Sequence, residues 1–132
     1  MIEKINIKKV VAYWKESAEL NFETAQFLFK GKKYSDCLFF CHLTIEKTLK
    51  GLVVKKTKKH APFIHQLIDL AKMVDIPLTG DQIDQLSKIT TFNIASRYDN
   101  DKLKFYKKCT KEFTAKYLKI SHKLYIWLKK KY

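Results

Sequence analysis

Arginine is almost missing from this chain. Of 27 basic residues, every one but Arg97 is lysine, and bidentate recognition of phosphates or base edges favours arginine. Glycine (three) and proline (two) are nearly as scarce, which argues against many short strands joined by turns and for long helices. No apolar run approaches the roughly 20 residues that span a bilayer. The opening MIEKINIKKVVAYW has no apolar stretch long enough for a secretory signal before its charges return. A soluble cytoplasmic protein that keeps clear of membranes is the expectation. The cysteines, Cys37, Cys41 and Cys109, are an odd set with no second pair to close a tetrahedral site. Even with His42 beside Cys41, they read as buried apolar thiols, and neither a metal nor another cofactor is expected.

What is present is enough for one domain. The chain has 132 residues, 46% of them apolar, which suits a single core over residues 1–132 and not disorder. The net charge is +14, and it is unevenly spread. Residues 47–59 carry six lysines and no acid, and residues 102–132 carry eleven lysines against Glu112 alone. Between them, residues 60–101 have three bases and six acids. Two basic segments around an acidic middle are the footprint of a phosphate-bearing or otherwise acidic partner, although lysine also serves simply to solvate helices.

Hydrophobic spacing predicts an all-α fold: an up-and-down bundle of four long helices plus one short helix. Trp14, Ala18, Phe22, Ala25 and Phe29 advance along the first helix, with Gly31 at its C-cap. The second spans Tyr34 to Lys56 and carries Cys41, Ile45, Leu49 and Val53. A short third helix runs from Phe63 to Val74 after Pro62. Thr79 and Gln82 form a capping box for the fourth, which turns Ile83, Leu86, Ile89 and Ile94 inward. Residues 96–101 are the last loop, with Asn100 or Asp101 as cap. One final helix presents Tyr106, Cys109, Phe113, Tyr117, Ile120, Leu124 and Trp127.

The segment CHLTIEKTLKGL (41–52) raises the chemical question. His42, Glu46 and Lys50 recur every four residues on one face, about 100° from the Cys41/Ile45/Leu49 stripe. Glu46 precedes Lys50 in the favourable ion-pair order, and Lys47 borders the row. The row reads either as a solvated seam or as a partly buried polar group set, which needs specific partners. His65 on the next helix and Arg97 at the end of the fourth are the candidates.

The stretch YSDCLFFCHLTIEKTLKGLVV from Tyr34, followed by Pro62, HQLIDL from His65 and ASRYD from Ala95, resembles the HEPN family over essentially the whole chain. The resemblance implies a helical bundle, often a homodimer, with functions ranging over RNA cleavage, nucleotide or RNA binding, and pairing with a small nucleotidyltransferase in toxin–antitoxin or stress-response settings. It also implies where ribonuclease chemistry would sit. Catalytic members resemble one another in an Arg and a His four to six residues apart at a helix end, paired across a dimer. Arg97 matches, yet Tyr98-Asp99-Asn100-Asp101-Lys102-Leu103-Lys104 follows it with no histidine.

Three readings result. The first is a HEPN-like module lacking the usual ribonuclease motif, binding a nucleotide or RNA through His42, Lys47, Lys50, His65 and Arg97. Glu46 would orient these groups and Tyr98 would complete the corner. The second is a metal-independent ribonuclease toxin using His42 or His65 with Arg97. The third is a protein-interaction or dimerisation module alone.

Overall fold

The computed structural model describes residues 5–94 and 98–132. Among them are six α-helices and no strand: α1 (Ile7–Lys30), α2 (Tyr34–Thr57), α3 (Leu67–Met73), α4 (Gly80–Thr90), α5 (Asp99–Lys108) and α6 (Lys111–Lys129).

The ends of α1 follow local chemistry. The Asn6 side chain accepts from the Lys9 amide at 3.1 Å, satisfying a donor that the first helical turn cannot use. Gly31 caps the far end but keeps an ordinary φ of −82°. The left-handed residue is Lys32, with φ 61°, so glycine stands one position before the place where its freedom would help.

α2 is the central element. Leu38, Ile45, Leu49 and Val53 are fully buried, and the polar His42, Glu46 and Lys50 are buried beside them. A stripe-and-face picture fails for this helix because it is enclosed by α1, α3 and α6. α1 runs alongside it, with Ser17 against Lys47 midway along and Phe29 against Tyr34 where the two helices join. Gly51 lies where Tyr132 docks, for a Cβ there would stand 2.0 Å from the tyrosine hydroxyl. That hydroxyl donates to the Thr48 carbonyl at 2.6 Å.

α3 is shorter than the spacing predicts. It begins at Leu67, so Phe63 and His65 lie in the preceding connection, and Phe63 is wholly exposed. The α4 capping box is as expected, with Thr79 and Gln82 exchanging bonds of 3.1 and 3.0 Å. Leu86 and Ile89 are buried, while Ile83, expected inside, is exposed. Ile94 follows the helix and packs against the core only in part.

The single final helix is in fact two. Thr110 accepts from the Phe113 amide at 3.2 Å and starts α6 afresh, because a threonine hydroxyl offers the backbone an alternative to helical continuation. The inward residues change accordingly. Phe105 and Cys109 turn inward at the end of α5 while Tyr106 is exposed, and Leu124, Tyr125 and Leu128 are buried on α6. The α5 N-cap is Tyr98, earlier than Asn100 or Asp101, with Asp99 and Asp101 in the first turn, where acids suit the helix dipole. Phe92, just past α4, centres an aromatic cluster with Phe105, Phe113 and Tyr117 at centroid separations of 5.3–6.1 Å. No helix among the described residues is long and apolar enough to cross a membrane.

Candidate functional site

The row on α2 is buried, not a solvated seam. His42 is 0% exposed, Glu46 5% and Lys50 6%. Removing these groups from water is costly unless their hydrogen bonds are replaced, and here they are replaced in part. His42 Nε2 faces the His65 carbonyl at 3.2 Å. A carbonyl only accepts, so this nitrogen carries the proton and the ring donates. His42 Nδ1 then keeps its lone pair, buried and without a partner among the described residues. Burial lowers the His42 pKa, against smaller opposing effects from the His65 carbonyl bond and the Glu46 charge, so the ring is neutral at pH 7.

Glu46 gathers the other partners. Its Oε1 accepts from His65 Nδ1 at 2.7 Å, and its Oε2 lies 3.5 Å from Lys50 Nζ. His42 Nε2 is 3.8 Å from the same carboxylate. Lys50 also sits over the Trp14 ring, 5.8 Å from its centroid. Lys47 turns the other way and donates to Ser17 Oγ at 2.7 Å. Desolvation lowers its pKa.

The position of His65 follows from the chain around it. The Leu67 amide donates to Thr90 Oγ1 at 3.3 Å, tying the connection before α3 to the end of α4. The Glu46 bond then fixes the ring, whose side chain remains 58% exposed. With Nδ1 committed to Glu46, Nε2 is the nitrogen left for an incoming group. His65 lines a cleft of about 500 Å³ together with Phe63, Ile64, Gln66, Asp69, Thr90, Thr91 and Asn93. A second cleft of about 310 Å³ shares Thr91 with it and adds Lys88, Asp101, Lys104 and Lys108. Hydroxyls, amides, one oriented imidazole and three lysines therefore line two adjoining hollows, together with the carboxylates of Asp69 and Asp101.

Of the residues singled out from sequence, the structure brings His42, Glu46, Lys50 and His65 together. Within this chain, burial removes His42 and Lys50 from direct contact with a phosphate, contrary to expectation. Lys47 is aimed at Ser17 on the α1 side. Tyr98, at the N-cap of α5, is 85% exposed. Arg97 lies outside the described residues. Sequence reading missed Thr90, Thr91 and Asn93, which carry no motif and are assembled only by the fold. Among the described residues no group of His, Cys, Asp and Glu is placed to hold a metal ion.

A sequence model described as the HEPN domain matches residues 11–131. No curated protein matches the chain. Among solved structures, TT1696 from Thermus thermophilus is similar over 92% of this chain and 98% of its own, with a TM-score of 0.77 and 20% identity. At that identity the likeness speaks to the fold.

Proposed function

The chain belongs to the HEPN family, and from that premise we propose that it is a module binding the phosphates of a nucleotide or RNA at the clefts beside His65. The reading includes an up-and-down helical bundle acting as a homodimer, with a nucleotidyltransferase as a further partner in a toxin–antitoxin or stress-response setting. The observation that carries it is the 2.7 Å bond from buried Glu46 to exposed His65. A protein does not hold a carboxylate in its interior for a surface imidazole without cost, and the bond fixes the ring in one orientation at the cleft wall. When protonated, Nε2 donates to a phosphate oxygen. Lys88, Lys104 and Lys108 in the adjoining cleft add the salt-sensitive attraction that phosphates feel for lysine.

Electrophoretic mobility shift of a short RNA and of labelled ATP at low salt tests this. His65→Ala and the pair Lys104→Ala/Lys108→Ala each weaken binding, and the lysine pair flattens the salt dependence. Binding that is absent in the wild type, or unchanged in both variants, rejects the site.

A second reading, a metal-independent ribonuclease, draws on the same bond. With Nδ1–H fixed on Glu46, a neutral His65 has its Nε2 lone pair available to take the proton of a 2′-hydroxyl. His42 is unsuited to that role, since its own lone pair is buried. Incubation of the pure protein with tRNA or mRNA distinguishes the readings. Cleavage lost in both His65→Ala and Arg97→Ala supports the ribonuclease, and RNA intact over long incubation removes it.

A further inference from the structure

A different cleft lies at the C-terminal end of α2, with a volume of about 400 Å³. Its lining is Leu52, Lys55 and Lys56 from α2, Val74–Pro77 from the α3–α4 connection, and Lys131 near the end of the chain. None of these residues belongs to the His65 site. The floor is apolar, for Leu52 is buried and Val74 and Ile76 pack against the core. Among the described residues the rim is cationic, with three lysines against Asp75.

The wall is held in place by its own backbone. The Val74 and Ile76 amides both donate to the Ala71 carbonyl, each at 3.2 Å, and the Asp75 amide donates to the Lys72 carbonyl at 3.1 Å. Asp75 takes a left-handed φ of 52°, a conformation that aspartate tolerates better than most residues. Its carboxylate accepts from Lys56 Nζ, which sets the one acid among the described lining residues against one of the lysines. Lys55 and Lys131 are left as rim charges with no other carboxylate to face them among the described residues of the cleft lining. Lys131 rests over the Trp127 ring at 4.4 Å, which holds its charge beside the opening.

We propose that this cleft binds a small molecule with an apolar body and a single anionic head, the body on Leu52, Val74, Ile76 and Pro77 and the head between Lys55 and Lys131. The volume falls in the range of small-molecule sites, which combine an apolar lining with a few placed polar groups. The charge left after Asp75 and Lys56 cancel is positive, so the head is an anion. Both carboxylates and phosphate monoesters have that chemistry, and a cation or a neutral amphiphile lacks it.

The test is titration of the ¹⁵N-labelled full chain with octanoate, octyl phosphate and 1-octanol, followed by amide chemical shifts. Octanoate or octyl phosphate produces saturable shifts at Leu52, Val74, Asp75 and Ile76, and the tighter of the two identifies the head group. Octanol binds about tenfold more weakly, because it lacks the charge-assisted contact. Lys55→Glu/Lys131→Glu, at two exposed positions that leave the fold intact, weakens the anions about tenfold and leaves octanol unchanged. Ile76→Trp, which fills the floor, abolishes the shifts for all three. Shifts scattered over the surface, equal binding of octanol, an unaffected charge-reversal variant or no binding at all would each overturn the proposal. RNA binding at the His65 cleft is independent of every one of these outcomes.

Discussion

Among the described residues α2 carries two lysine–carboxylate pairs, and they differ in almost everything but their chemistry. Lys50 and Glu46 are on the same helix, with side chains 7% and 6% exposed at 3.5 Å. Lys56 reaches Asp75 on another segment, with side chains 45% and 82% exposed. The outer pair remains in water and salt, where such contacts contribute about 0–1 kcal/mol. The inner pair has lost its water, so each member depends on the other, and Glu46 depends also on His65. Stability at the inner pair therefore hinges on completeness, and at the outer pair on very little. Sequence spacing makes the inner pair look the more ordinary of the two, since i, i+4 neighbours pair routinely on helix surfaces. Burial is what makes it consequential.

The largest expected effect comes from breaking the inner pair. Glu46→Ala leaves Lys50 charged, buried and unpaired, at about 3–5 kcal/mol, read as a fall in the urea midpoint. Glu46→Leu/Lys50→Met, which removes both charges, recovers most of that loss. A single variant as mild as a surface substitution would place the two pairs in one class.

Next is Gly51→Ala. An added Cβ requires Tyr132 to move out of its seat between α1 and α2, and overpacking of this kind costs about 1–3 kcal/mol. Combining it with Tyr132→Ala checks the cause, since the penalty should shrink when the tyrosine is already gone.

Titration sharpens the contrast further. The His42 pKa is lowered in the folded chain by burial, whereas an unfolded histidine titrates near about 6.5. Unfolding therefore takes up a proton at acid pH. The stability that neutral His42 contributes is complete above the unfolded value and is lost as pH falls below it. The slope is at most about 1.4 kcal/mol per pH unit for one proton. The groups facing His42 are Glu46, His65 and Lys50. His42→Gln should flatten the fall of Tm between neutral and mildly acid pH, and an unchanged profile would show that His42 is not the group responsible.

The smallest effect is at the outer pair. Asp75→Asn changes stability by about 0–0.5 kcal/mol, with whatever difference exists vanishing at high salt.

How much of this could be read from the sequence depends on what the signal was. Helices α1, α2 and α4 follow from apolar spacing and local caps, and the Thr79/Gln82 box is reproduced bond for bond. The break at Cys109–Thr110 is not legible because the apolar spacing continues across it, while one threonine cap decides the backbone. The His42–Glu46–Lys50 row is visible as a pattern, and so is His65 as its partner. Its burial is not, since that depends on three other helices closing around α2. Thr90, Thr91 and Asn93 reach the candidate cleft through tertiary packing alone, and a side chain placed in that way leaves no periodic trace.

The central claim is that Glu46 holds His65 at a phosphate-binding cleft. Fluorescence anisotropy of a short labelled single-stranded RNA at low salt, comparing wild type with His65→Asn, tests it most directly, provided circular dichroism shows both folded. The account predicts binding about tenfold weaker in the variant, roughly the 1.4 kcal/mol of one charge-assisted hydrogen bond. Equal affinity in the two proteins would contradict it.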